Sequence, residues 1–214
     1  MTYKPFCYCN GLWPASYRYG PADKNLTGGN ANCDWGVFNA ILNGGDEPGR
    51  WRTLSRDEWA YLMNGRTNAT SLRGVGSVNG VRGLILLPDG WNGLDISTTS
   101  IGTHTVTDDN SDKPAAITWA DNMIDAATWA TMEAAGAVFL PAAGTMSDAS
   151  PWAVGYYNLS DTSAGISYWT TTYRTDRRFA HAFDLGTAGS DINWRFDQSS
   201  RSYGRAVRLV KDAN

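Results

Sequence analysis

Leu54-Ser55-Arg56-Asp57-Glu58-Trp59 carries a capping box: the serine side chain and the glutamate three residues on satisfy each other's backbone N–H groups. Leu54 stands where it can staple onto Trp59 across that cap. The spacing predicts a short helix that runs through Tyr61, Leu62 and Met63 to a stop near Gly65. The design recurs around Ile124, Asp125 and Trp129, where Asp125 opens a helix that Gly136 closes after Met132 and Ala135. A further helix is expected after Asp34, with Val37, Phe38, Ile41 and Leu42 as its apolar positions and Gly44-Gly45 as its stop. Strands are expected over 81–87, ended by Pro88-Asp89-Gly90, and over 137–140, ended by Pro141. Beyond Pro151 the helical period disappears, and short aromatic runs at 166–172, 179–185, 192–197 and 205–210 are broken by Gly, Asp and Ser. Helices early and an antiparallel sheet late make the fold class α+β.

The chain of 214 residues is sized for one domain, taken as 1–214. Hydrophobic residues at 42% and charged residues at 18% exclude general disorder. The longest apolar run, Gly83-Leu84-Ile85-Leu86-Leu87, is strand-sized and far below the ~18 residues of a spanning helix, so no membrane insertion is expected. A formal net charge of −3 argues against a nucleic-acid partner, which calls for a basic face. Ten Trp, ten Tyr and 23 Gly favour strands, turns and loops over a helical bundle. Cys7 and Cys9 lie too close together to bridge comfortably; either can pair with Cys33, or all three stay reduced. The start of the chain has no basic-then-apolar leader, which implies either no export by signal peptide or an excised piece.

Motifs for nucleophilic, metalloprotease or phosphate-binding chemistry (G-x-S-x-G, H-E-x-x-H, a P-loop) are absent from the sequence. His104 reads as a solvated loop residue and His181 as an exposed or ligand-contacting strand residue; a zinc site would need more such partners. Asp108-Asp109-Asn110-Ser111-Asp112 has carboxylate spacing that suits calcium but lacks the glycine and distal glutamate of a helix-loop-helix site, and reads as a solvated turn within a surface excursion over 96–114. No pair of acids marks a glycosidase cleft. The expectation is a protein that is not an enzyme and that uses no cofactor and no metal. Over 153–210 there is no Lys, Glu or Met, whereas Arg, Tyr, Asp and Ser abound. Those residues combine rigid aromatic area with adaptable hydrogen bonding, the vocabulary of a binding surface.

Four segments carry a family resemblance: 49–59 (GRWRTLSRDEW), 78–89 (VNGVRGLILLPD), 132–144 (MEAAGAVFLPAAG) and 204–210 (GRAVRLV). They resemble a large group of Bacteroidetes and gut-phage proteins with the C-type lectin fold of the formylglycine-generating-enzyme branch. Many of that group are variable proteins of diversity-generating retroelements, whose reverse transcriptase rewrites adenine-containing codons at the 3′ end of the gene. The resemblance spans residues 25–211, and 1–24 match poorly. The family tail, Tyr-Trp-Ser-Ser-Thr, Ala-x-x-Leu-x-Phe, Val-Asn-Trp, Arg and Gly-x-x-Val-Arg-Leu-Val, is similar to Tyr168-Trp169-Thr170-Thr171-Thr172, 180–185, Ile192-Asn193-Trp194, Arg201 and 204–210 here. The missing Lys, Glu and Met fit as well, since randomising both adenines of an AAC codon cannot produce them.

The resemblance implies a fixed frame of helices and central strands with a variable, ligand-binding region over 153–210. Its implied ligand-binding residues, placed on an exposed face, are Tyr173, Arg174, Asp176, Arg177, Arg178, His181, Asp184, Asn193, Arg195, Asp197, Ser199, Ser200, Ser202 and Tyr203. Trp59, Trp129 and Trp169 are expected core anchors, and Phe183, Leu185, Trp194, Val207 and Leu209 scaffold. The implied partner is a protein or glycan on a host or bacterial surface, and the implied location a phage virion or bacterial cell surface. The alternatives on the same fold are a formylglycine-generating-enzyme-like enzyme and a calcium-dependent carbohydrate-binding lectin. The enzyme's catalytic thiols lie late in the chain, whereas the cysteines here all precede Asp34. The Glu-Pro-Asn, Gln-Pro-Asp and Trp-Asn-Asp signatures of calcium lectins are also missing.

Overall fold

The computed structural model describes residues 25–38, 41, 47–96, 122–143, 165–173, 179–188, 191–200 and 205–212. A 3-10 turn, Gly28–Cys33, leads into helix α1 (Trp35–Phe38). Asp34 caps it as expected, accepting from the Gly36 N–H at 3.1 Å; the continuation toward Gly44-Gly45 lies outside the described residues. Strand β1 (Arg52–Thr53) precedes α2 (Arg56–Ala60). The α2 capping box is complete: Ser55 Oγ accepts from the Glu58 N–H at 3.2 Å, and Glu58 Oε2 accepts from the Ser55 N–H at 2.8 Å. The helix then widens into a π turn over Tyr61–Gly65. Strands β2 (Arg73–Val78) and β3 (Val81–Leu86) form a hairpin. Its two-residue turn uses Asn79 and Gly80 at φ +48° and +80°, left-handed residues whose twist matches paired strands. After β4 (Met123–Ile124), Asp125 caps α3 (Ala126–Ala134) through the Thr128 N–H at 2.7 Å, and Gly136 at φ +97° ends it before β5 (Val138–Pro141). Strands β6 (Ile166–Tyr173), β7 (Phe179–Ala188), β8 (Asp191–Ser200) and β9 (Leu209–Val210) follow.

Among the described residues these strands form a mixed sheet β4-β2-β3-β5, in which only β2–β4 is parallel, an antiparallel sheet β6-β7-β8, and the antiparallel pair β1-β9. The architecture is α+β, with short helices and small sheets. Alternation along the strands splits the interior. Leu84 and Leu86 of β3 join Trp59 and Met63 of α2 and its π turn, Ile166 and Tyr168 of β6, and Phe183 and Leu185 of β7 in the central core. Ile85 and Leu87, on the other side, pack with Ile124, Met132 and Ala137 beneath α3. Trp59 stacks on Phe183 with ring centroids 4.6 Å apart, which ties α2 to the antiparallel sheet.

Two expectations about the frame are corrected. Trp129 is half-buried, packed edge-on to Phe139 at the margin of its cluster, where Met132 is the α3 residue that reaches the buried interior. The stretch 205–210 is not one strand: Ala206 makes a bridge to Tyr168, and only Leu209–Val210 pairs, with β1. Its partial alternation reflects this change of partner, and Val207 and Leu209 are half-buried.

A polar cluster locks β1, α2 and the tail together. Arg52 reaches Glu58 at 2.6 and 2.9 Å and Asp212 at 2.7 Å. Burial raises the Glu58 pKa, but bonds from Arg52 and from Ser55 outweigh it and hold the carboxyl below its ordinary value. A carboxylate depressed on folding contributes stability above its unfolded pKa of about 4.3 and loses it as pH falls through the lower folded value. Asp34 behaves oppositely. Burial raises its pKa despite bonds from Thr53 N–H (2.7 Å), Thr53 Oγ (2.9 Å) and Gly36 N–H, so its ionisation on raising the pH above about 4 opposes folding. Glu58→Gln is therefore expected to destabilise clearly at pH 7, with the gap from the parent narrowing from pH 5 to about 3. Thermal melts across that range check it; a gap independent of pH would mean that the Glu58 charge contributes nothing.

Candidate functional site

The β6-β7-β8 sheet brings most of the expected ligand residues into one element, and its register divides them. Leu185 pairs with Trp194, Phe183 with Phe196 and His181 with Gln198, so these positions share the face that carries Phe183 and Leu185 into the central core. Asp184 pairs with Arg195, Ala182 with Asp197 and Ala180 with Ser199, while Asn193 pairs with Gly186; these positions share the opposite face. Ser200 pairs with Phe179 and belongs, by alternation, to the core-face register. Asn193, Arg195, Asp197 and Ser199 thus stand at every second residue of β8, about 6.6–6.8 Å apart along one face.

Two members of the expected exposed set are buried. His181 is 7% exposed, because its register puts it on the core face beside Phe183. Asp184 is 8% exposed on the other face, because Arg205 and Ser167 cover its carboxylate. Arg205 Nη1 donates to both Asp184 Oδ1 and Ser167 Oγ, and Ser167 donates to the same carboxylate oxygen. The Arg205 guanidinium also lies 5.5 Å from the centroid of the Trp169 ring, a cation–π arrangement. Trp169, 2% exposed, is the core anchor expected of it, packing with Leu26, Ala180 and Ala182. Tyr173 is half-buried at the end of β6, where its N–H donates to Asn25 Oδ1 at 3.0 Å. Arg174, Asp176, Arg177, Arg178, Ser202 and Tyr203 lie outside the described residues, as do Cys7, Cys9, His104 and 108–112.

Arg205 and Ser167 are the residues that sequence reasoning passed over as parts of this site. Period-two spacing of His181, Phe183 and Leu185 was the available signal for the burial of His181. No local signal tells that Asp184 meets an arginine 21 positions away. Among the described residues, no group of three or more His, Cys, Asp or Glu side chains is placed to hold a metal ion, and no helix is long and apolar enough to cross a membrane. Comparison of the chain with protein-family models, with curated proteins and with solved structures finds no match.

Proposed function

We propose that this chain is a recognition protein of the C-type-lectin-fold, diversity-generating-retroelement type, displayed on a phage particle or bacterial surface, without a catalytic role. Its partner is a protein or glycan on a host or bacterial surface. The observation that carries this reading is the two-sided register of β7 and β8. One face repeats the apolar positions that pack on α2, and the other aligns Asn193, Arg195, Asp197 and Ser199 on the outer strand of the sheet. Such a division lets the letters of one face of β8 change while the central core around Phe183 and Leu185 stays the same. The resemblance of 49–59, 78–89, 132–144 and 204–210 to that family supplies the biological context.

The test pairs stability with binding. Asn193, Arg195, Asp197 and Ser199 are replaced together by alanine, and parent and variant are applied to a glycan array and to intact bacterial cells. Surface changes away from caps and cores stay within about 0.5 kcal/mol each, whereas single aromatic or Arg contacts at an interface contribute about 2 kcal/mol or more. The expected result is lost or redirected binding with the melting temperature nearly unchanged, and parent binding that survives chelator. Unchanged binding in the variant, or loss to chelator in a folded protein, sinks the reading; the latter favours the calcium lectin. A neighbouring reverse-transcriptase gene with a template repeat, matching adenine-containing codons at these positions, is the independent genomic check.

A further inference from the structure

The free edge of β6, opposite β7, is closed by three separate pieces of chain. The Leu26 N–H donates to the Thr171 carbonyl at 2.9 Å, and the Thr171 N–H donates to the Leu54 carbonyl at 3.0 Å. The third piece is the tail: the Trp169 N–H donates to the Ala206 carbonyl at 2.9 Å and the Ala206 N–H to the Ser167 carbonyl at 3.1 Å. Two backbone bonds at a sheet edge make a weak hold by themselves. Arg205, next to that bridge, sends its guanidinium across β6 to Asp184 on β7, touching Ser167 and covering Trp169 on the way. Its side chain is 5% exposed and that of Asp184 11%, so water competes little for the pair. On its far side the same tail pairs with β1 and holds Arg52 through Asp212.

We propose that the Arg205–Asp184–Ser167 cluster is a latch through which the tail sets the local order of the β6-β7-β8 sheet, separately from the central core. Asp184 is then a positioning residue of the recognition face and not a contact for ligand. That functional consequence rests on the recognition reading; the latch itself does not. Breaking it frees the tail bridge and the adjoining part of β6, a sub-global opening, while α2 and the β2-β3 hairpin keep their packing.

Amide hydrogen exchange on the full chain tests this, with no ligand required. In Asp184→Asn, which keeps the shape but removes the charge, the amides of Trp169 and Ala206 should exchange roughly tenfold faster or more, while those of Trp59, Leu84 and Ile85 hold their rates. Ser167→Ala should move the same amides by less, and Arg205→Lys, which keeps the charge, should retain part of the protection. A uniform rise across both sets of amides overturns the proposal, as does no change in either. If Asp184→Asn does not fold, the pair belongs to the global core, and the proposal fails equally. These outcomes stand whether or not the β8 alanine variant loses binding, so failure of the latch and failure of the recognition reading are told apart.

Discussion

Trp59→Ala is expected to destabilise the protein by about 3–5 kcal/mol, the largest loss from any single truncation in the frame. The side chain is 1% exposed and sits where α2, the β2-β3-β5 strands and the β6-β7 strands converge. Its ring stacks flat on Phe183 and leans on Tyr168 at 6.0 Å, contacts that add to the area it removes from water. The pocket is walled by elements of both sheets and cannot collapse around an alanine without moving one against the other, so the cavity persists. At this chain length the melting temperature should fall by roughly 6–20 °C. Trp129→Ala, at a half-buried position, is the internal comparison and should cost clearly less. Denaturant unfolding of both variants decides the point; equal losses would mean that the two stapled helices anchor the fold equally.

Gly76→Ala is expected to cost about 3 kcal/mol, at the upper end of overpacking, although it adds a single methyl group. A Cβ there would press into the Asn122 carbonyl oxygen and lie 2.5 Å from the Asn122 Cβ. Asn122 cannot retreat cheaply, because its carbonyl accepts from the Ser77 N–H at 2.7 Å and its side-chain amide donates to the Val75 carbonyl at 2.7 Å. The methyl therefore forces β4 away from β2 and opens the cluster that Ile124 completes. Gly29→Ala is the control: nothing lies within 4 Å of where its methyl would stand and its φ is not left-handed, so the change should stay within about 0.5 kcal/mol. Thermal melts of the two variants side by side are sufficient, and a Gly76→Ala protein as stable as the Gly29→Ala control would show that β4 yields.

The helices were legible in the sequence because their determinants are local. Ser55 with Glu58, and Asp125 with the Thr128 N–H, act within one turn, and Leu54 and Ile124 sit beside the caps they staple. Strand β3 was legible from its apolar run, and β6 to β8 from their aromatic letters. Strand β2 was not, for two reasons that are tertiary. It opens on Arg73, a fully buried arginine that donates to the Met63 carbonyl and to Asn64 Oδ1 at 3.0 Å. Burial, then the nearby charge of Arg66, brings its pKa down to about 10. The strand then spends Gly76 on a close approach to β4, and glycine inside a run reads as a break until the neighbouring chain is seen. At the candidate site, the alternation of polar and apolar letters marked the sheet correctly. Its failure at Asp184 and His181 came from placing the polar letters that do not match the family pattern on the exposed face, without regard to strand register. A polar residue within a strand is buried when its register demands it, and Arg205 supplies the partner for Asp184 from beyond the β6 edge.

The pairing of β1 with β9 also bears on how the protein is made. Arg52 and Asp212 are separated by 160 positions, and most of the chain lies between the two strands that they join. During synthesis the α2 cap and the β2-β3 hairpin form from neighbouring residues, but the Arg52–Val210 pairing has no partner until residue 210 exists. Until then the edges of β1 and β6 that the tail covers are open to other chains. Closure of this fold therefore waits for residue 210, and the interval before closure is when its strands are most exposed to mispairing.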